Sequence, residues 1–151
     1  MSFRYLALLL CAVLCPVPAC ALCTSFGVTA TALDFGVYDP AAGTSVSATG
    51  TVAVRCGIGV LPAFNAALSK GSGSYAQRTM TNGADRLDYN LYADAAHMTV
   101  WGDGTSGTVV QSLTGIITLG TTDYTVYGLM PAGQYPAAGA YGDTITVTVN
   151  F

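Results

Sequence analysis

Apolar and polar residues alternate one by one in segment after segment of this chain, and that period of two constrains its fold more than any other feature. After Cys23, no window of about eleven residues shows helical periodicity. Strict alternation is the pattern of a half-buried β-strand, because successive side chains of a strand point to opposite faces of the sheet. The chain is therefore predicted to be all-β.

Strand-like segments recur between turn signals. The clearest are 51–56, 63–69, 87–92, 123–129 and 144–151, and weaker ones are 25–29, 33–37 and 112–119. The turn signals are Asp39-Pro40, Lys70-Gly71, Asn82-Gly83, Gly102-Asp103-Gly104 and Pro131-Ala132-Gly133. Short strands at this spacing, joined by Gly-rich turns, predict a β-sandwich of immunoglobulin-like type.

Residues 1–21 have the three regions of a secretory signal peptide. Arg4 supplies the positive start, residues 5–14 form the apolar stretch, and two prolines precede a small-x-small cleavage site that ends at Ala21. Cleavage after Ala21 is predicted, which leaves a single domain over residues 22–151.

Two alternatives to a cleaved signal are weighed. An uncleaved membrane anchor needs about 20 unbroken apolar residues, and Pro16 and Pro18 interrupt this run. A lipoprotein signal ending at Cys20 would place Pro18 inside its recognition sequence, where proline fits poorly. Cleavage is therefore preferred to both.

The cysteines become informative once the leader is set aside. Of the five in the chain, three lie within the predicted signal peptide, which leaves Cys23 and Cys56. In an exported chain these two are predicted to form one disulfide, which stabilises by about 3–4 kcal/mol through loop closure. A metal site would need Cys, His and carboxylates clustered at short spacing, which the sequence does not offer.

Composition excludes one class of partner. The 151 residues are 52% hydrophobic with a net charge of −3, and the five basic residues are scattered. A phosphate backbone needs a concentrated cationic surface, so nucleic acid is excluded. No stable membrane insertion is predicted after signal cleavage.

Residues that commonly carry catalysis are sparse. His97 is the only histidine, and no G-x-S-x-G sequence frames a serine, so a surface histidine is expected rather than a triad. Four aspartates share one stretch, at Asp85, Asp88, Asp94 and Asp103. They suggest calcium binding or glycoside hydrolysis, but EF-hand spacing is absent and the chain has no glutamate. Turn-forming aspartates are expected, with no metal, no cofactor and no enzyme activity.

Two glycine-rich stretches and the single tryptophan have simple interpretations. Residues 69–74 and 102–107 lack the G-K-[ST] order of a phosphate-binding loop and are expected to be hairpin loops. Trp101 is either an adhesive aromatic at a loop tip or a core residue at a strand end. Its aliphatic neighbours favour the core.

The last segment is the most suggestive part of the chain. Ile145, Val147, Val149 and Phe151 fall on one face, and threonines and an asparagine fall on the other. A sandwich that ends in a buried strand leaves the neighbouring position in the sheet either filled by its own chain or open to another chain. The sequence leaves both alternatives open.

Four stretches, taken together, resemble the spore coat protein U domain family, which includes the Csu-type archaic chaperone-usher pilins. They are CTSFGVTATALDFGVYDP from Cys23, TGTVAVRC ending at Cys56, DRLDYNLYADAAHMTVWGDGT from Asp85, and VYGLMPAGQYPAAGAYGDTITVTVNF at the C-terminus. The resemblance covers essentially the whole chain after the predicted signal.

The resemblance implies an incomplete immunoglobulin-like subunit that lacks its last strand. A periplasmic chaperone lends a strand, and at the outer-membrane usher the N-terminal extension of the next subunit replaces it. Ile145, Val147, Val149 and Phe151 are then implied to line the strand-acceptor groove, with Phe151 near the chaperone's anchoring site. The implied product, built with other pilin or coat subunits, is a surface fibre for attachment and biofilm formation or a spore coat layer.

One departure from that family bears on the position in the assembly. A fibre-body subunit carries a donor strand before its first cysteine, whereas cleavage after Ala21 leaves only Leu22 ahead of Cys23. Spanning a groove takes several residues at about 3.3 Å each. A terminal, tip-like subunit, or a coat protein that does not polymerise as a fibre, is therefore hypothesised.

Two classes of function follow. The first is a non-enzymatic structural subunit, exported through the inner membrane to the periplasm and then to the cell surface or the extracellular space. The second is a self-sufficient secreted β-sandwich that binds a carbohydrate or small ligand, with a hydrolase as its less favoured variant. The first predicts a chain that needs a chaperone, and the second predicts a stable monomer with a definable cleft.

Overall fold

A computed structural model describes residues 6–10, 23, 25–61, 63–114 and 117–151, with 6–10, 60–61 and 117–119 described through their backbone alone. Within these residues the chain forms nine strands and one 3-10 turn, Pro40–Ala42. The strands are β1 (Leu6–Leu10), β2 (Phe26–Ala30), β3 (Val46–Leu61), β4 (Phe64–Leu68), β5 (Arg78–Asn82), β6 (Asp85–Tyr92), β7 (Gln111–Leu113), β8 (Ile117–Met130) and β9 (Asp143–Asn150).

The strands form two sheets packed face to face. One sheet has the order β1-β9-β4-β7 and the other the order β2-β3-β8-β6-β5. Neighbouring strands run antiparallel except β1 and β9, which run parallel. The predicted all-β fold, a sandwich of immunoglobulin-like type, is confirmed.

The core lies between the sheets, where the alternation of the sequence places its apolar side chains. Val52 and Val54 of β3 and Val126 of β8 have no exposed surface. Trp101 is also fully buried, and its Nε1 donates a hydrogen bond to the carbonyl oxygen of Ala66 at 2.9 Å. The prediction that Trp101 is a core residue is confirmed, because a buried indole needs this kind of acceptor.

Most predicted strands are confirmed. The five clear segments fall on β3, β4, β6, β8 and β9, and the weaker segment 25–29 falls on β2. The segment 112–119 is divided between β7 and the start of β8. Strand β5 was not predicted, because Arg78 occupies a buried position and breaks the apolar alternation there.

The strand predicted at 33–37 is wrong. The Asp34 carboxylate accepts a hydrogen bond from the Gly36 backbone N–H at 2.8 Å, and Gly36 has a φ of 68°. The chain therefore turns at this point. Leu33 and Phe35 are nevertheless buried, so the alternation was produced by a loop that inserts two side chains into the core.

Strand β1 comes from the predicted signal peptide. Residues 1–5 and 11–21 of that region lie outside the described residues, and cleavage after Ala21 stays a prediction. In the part of the chain that the structure describes, no helix is long and apolar enough to cross a membrane.

The predicted disulfide joins Cys23 and Cys56, whose Cα atoms are 5.9 Å apart. In the register between β2 and β3, Phe26 lies opposite Cys56. The bridge therefore fastens the segment that leads into β2 to the middle of the long strand β3. The Phe26 ring in turn contacts the ring of Phe151, with 4.9 Å between centroids, so the disulfide lies near the end of the chain.

Candidate functional site

The inward face of β9 forms a continuous apolar row. Ile145, Val147 and Val149 have no exposed surface. Phe151, just beyond the strand, is half-buried and packs edge-on against Phe26 and Phe64, with centroid distances of 4.9 and 6.1 Å. The structure thus brings the four residues singled out from the sequence together on one face.

Successive residues of β9 direct their backbone N–H and C=O groups to opposite edges of the strand. The Ser69 N–H donates to the carbonyl oxygen of Thr146 at 2.9 Å, so the polar backbone groups of Thr146 face β4. In an antiparallel ladder, the backbone groups of intervening residues point the other way. Ile145, Val147 and Val149 therefore direct their N–H and C=O groups toward the opposite edge, away from β4.

The opposite edge of β9 accepts strand β1. The two strands pair in parallel, with Leu8 opposite Ile145 and Leu10 opposite Val147. Because β1 is otherwise remote in sequence from this sheet, the edge is one to which a separate apolar segment can be added. The same β9 residues supply both the buried side chains and the backbone groups at that edge.

A buried carboxylate anchors the start of β9. Asp143 accepts hydrogen bonds from the Ser72 N–H at 3.0 Å, the Ser72 hydroxyl at 2.8 Å and the Tyr89 hydroxyl at 2.7 Å. Burial, the negative charge of Asp143 and this hydrogen bond raise the pKa of Tyr89 far above its ordinary value. Gly71 (φ 61°) lies against the carboxylate, where an added Cβ would collide with Asp143. The anchor therefore fixes β9 to the loop after β4 and to β6.

A buried arginine links the same region. The Arg78 side chain is fully buried and donates to the carbonyl oxygens of Ser69 (2.9 Å) and Trp101 (2.7 Å) and to Oδ1 of Asn90 (2.7 Å). Burial lowers the pKa of its guanidinium, while the charges of nearby groups oppose that shift. Sequence reasoning missed Arg78, and a single basic residue at an inward strand position was the only signal for it.

Two of the residues weighed for chemistry make structural contacts. His97 lies half-buried between the rings of Tyr92 and Tyr127, at centroid distances of 5.3 and 6.5 Å. Asp94 accepts backbone hydrogen bonds from Met98 at 3.2 Å and from Thr99 at 2.7 Å, and these bonds lower its pKa. Across the described ranges, no group of three His, Cys, Asp or Glu is placed to hold a metal ion.

Comparison with known proteins identifies the family of this chain and a solved structure with a similar fold. The sequence profile of the Spore Coat Protein U domain matches residues 7–148. Among solved structures, the chain is similar to one chain of a chaperone-tip adhesion subunit pre-assembly complex, CsuC-CsuE, from the archaic chaperone-usher Csu pili of Acinetobacter baumannii. The TM-score is 0.53 at 23% identity, over 84% of this chain and 40% of that chain. This chain thus spans well under half the length of the chain that it matches, and the likeness is one of fold. No curated protein matches it significantly.

Proposed function

This chain belongs to the Spore Coat Protein U domain family, and on that premise we propose that it is a non-enzymatic structural subunit of an exported surface assembly. A strand from a partner completes its sandwich by adding to the edge of β9 that β1 occupies in this structure. The observation that carries the proposal is the pairing of that edge with the apolar segment Leu6–Leu10. A secreted chain without its signal peptide would lose this segment and would need another strand.

The energetic need for a partner strand follows from β9 itself. Ile145 and Val147 bury their side chains inward and aim their backbone groups at the edge. Without a neighbouring strand, the backbone groups at this edge have no strand to pair with, and the apolar row loses part of its cover. Strand addition supplies backbone hydrogen bonds and side-chain cover together.

The proposed partners are a periplasmic chaperone, an outer-membrane usher and other pilin or coat subunits. Support for a chaperone comes from the similar fold in the CsuC-CsuE complex, which is a complex of a chaperone and a tip adhesion subunit. Residues 1–21 serve in this proposal as the signal peptide, which takes the chain to the periplasm before it reaches the cell surface. Attachment and biofilm formation are the proposed roles of the finished assembly.

A terminal position in the assembly is proposed from the short sequence that cleavage leaves before Cys23. Cleavage after Ala21 leaves Leu22 alone ahead of Cys23, which is too short to fill a neighbour's groove. The family match begins at residue 7, within the apolar segment of the predicted signal peptide. A mature protein that keeps this segment would instead have a donor strand.

Periplasmic expression with and without a candidate chaperone tests both proposals. We expect the intact mass of the purified protein to correspond to residues 22–151. We also expect the protein to elute in size-exclusion chromatography only as a complex with the chaperone. A stable monomer without any chaperone would contradict strand complementation and favour a self-sufficient binding module. A mature N-terminus upstream of residue 7 would contradict the terminal position alone.

A further inference from the structure

A cleft lined by both polar and apolar residues lies on the outward face of the sheet that contains β9, on the side opposite the core. Its volume is about 410 Å³, and its floor includes Asn65 of β4 with Thr148 and Asn150 of β9. Tyr75 and Asp103 line it from the loops after β4 and β6. A second depression of about 660 Å³ adjoins it and shares Ser69. The volume of the cleft is in the ordinary range for a small-ligand site.

The floor presents uncharged hydrogen-bonding groups of both kinds. The Ser112 hydroxyl donates to Oδ1 of Asn65 at 2.7 Å, which orients the amide so that its Nδ2 is the donor group. Thr148 offers a hydroxyl that both donates and accepts, and Asn150 offers a second amide. A ligand that matches this floor must itself alternate donors and acceptors.

The Tyr75 ring, which forms the aromatic side of the cleft, is held in place by Arg78 and Asn90. The Arg78 guanidinium lies over the Tyr75 ring, 5.6 Å from its centroid. The side chain of Asn90 donates to the carbonyl oxygen of Tyr75 at 3.0 Å, which fixes the loop. A ring positioned in this way by buried groups is a preorganised apolar surface beside a polar floor.

Beside Tyr75, the cleft carries an ionised acceptor. Thr105 donates to the Asp103 carboxylate through its N–H at 2.9 Å and its hydroxyl at 2.6 Å. These bonds lower the pKa of Asp103, and a further hydrogen bond joins the carboxylate to Tyr75. The carboxylate repels anions, while its acceptor capacity suits a hydroxyl donor.

These observations together define the ligand class. A purely apolar ligand would strip water from the amides and hydroxyls of the floor without replacing its hydrogen bonds, and an anion would meet Asp103. We propose that the cleft binds a neutral carbohydrate, with a sugar ring against Tyr75 and its hydroxyls on Asn65, Thr148 and Asn150. The adjoining depression gives a second sugar unit room to extend.

The carbohydrate site goes beyond the proposed assembly role and is separate from it. The partner strand adds at the edge of β9, where β1 pairs with Asp143 to Val147. The cleft floor uses the outward side chains of Thr148 and Asn150 and lies over β9 and β4, on the other side of β9 from that edge. A completed subunit therefore still presents the cleft to solvent.

Titration with neutral hexasaccharides, monitored by NMR, tests the site. The probes are maltohexaose, cellohexaose and chitohexaose, with an oligogalacturonate as the anionic comparison, and the protein is used in whichever soluble form it takes, free or chaperone-bound. We expect at least one neutral probe to shift the side-chain amide signals of Asn65 and Asn150. No shift from any neutral probe at about 10 mM, or stronger binding of the oligogalacturonate, would overturn the proposal.

Substitutions on the cleft floor localise the binding. Asn65→Leu and Thr148→Val are expected to weaken the binding of the neutral probe about tenfold or more, since each leaves a sugar hydroxyl unpaired. Thr125→Val makes the same change on an exposed position of the other sheet and should leave affinity unchanged. Buried Trp101 fluorescence reports that each variant is folded. Equal affinity in folded floor variants and in Thr125→Val would overturn the proposal, whether or not the chain needs a chaperone.

Discussion

Val147→Asp is expected to abolish capture of the chain by its periplasmic chaperone. Val147 has no exposed surface and lies in the middle of the inward row of β9, between Ile145 and Val149. A carboxylate buried there without a partner costs several kcal/mol, and a donor side chain cannot pack on it. Co-purification from the periplasm with a tagged chaperone measures the effect.

The neighbouring residue offers a matched control. Thr148→Asp places the same charge one position further along β9, on the outward face, where it should leave capture intact. Val147→Ala, which removes apolar contact without adding charge, should weaken capture by about 1–3 kcal/mol while the Cys23–Cys56 disulfide still forms. Equal capture of Val147→Asp and Thr148→Asp would refute the assignment of the groove to this face.

Arg78→Met is expected to lower the free energy of unfolding by about 3–5 kcal/mol. The substitution removes the guanidinium donor from three acceptors: the carbonyl oxygens of Ser69 and Trp101 and the side-chain oxygen of Asn90. Loss of the guanidinium also frees the loop after β4 that anchors the start of β9. Urea unfolding of the soluble, disulfide-bonded protein measures the change.

Two companion variants separate the bonding geometry of Arg78 from its charge. Arg86→Met removes a basic residue from an exposed position on the adjacent strand β6 and should change stability by less than about 0.5 kcal/mol. Arg78→Lys keeps the charge but lacks the planar fork that reaches three acceptors, so it should recover less than half of the loss. If Arg78→Met proves as stable as Arg86→Met, Arg78 does not hold this region together.

The sequence predicts the sandwich and the apolar row of β9 because both depend on local alternation. Ile145, Val147 and Val149 can be assigned to one face from the period of two alone. The disulfide follows from cysteine number and the predicted export. The turn at Asp34 and Gly36 shows the limit of this reasoning, because a loop that buries two alternate side chains has the same pattern as a strand.

The remaining features depend on contacts between distant segments. Arg78 is satisfied by acceptors from three other parts of the chain, and the hydrogen bond between Tyr89 and Asp143 joins residues 54 apart. Which edge of β9 faces β4 is set by strand pairing, and alternation does not specify it. The carbohydrate cleft likewise combines outward residues of two strands with two loops.

Hydrogen exchange at the β9 amides tests strand acceptance most directly. The comparison is between the full chain, in which β1 pairs with Ile145 and Val147, and the chain that begins at Leu22. We predict that the amides of Ile145 and Val147 exchange at least about tenfold faster in the shorter chain, and that the chaperone restores their protection. Unchanged protection of these two amides in the free shorter chain would contradict strand acceptance, because the edge of β9 would then be closed without a partner.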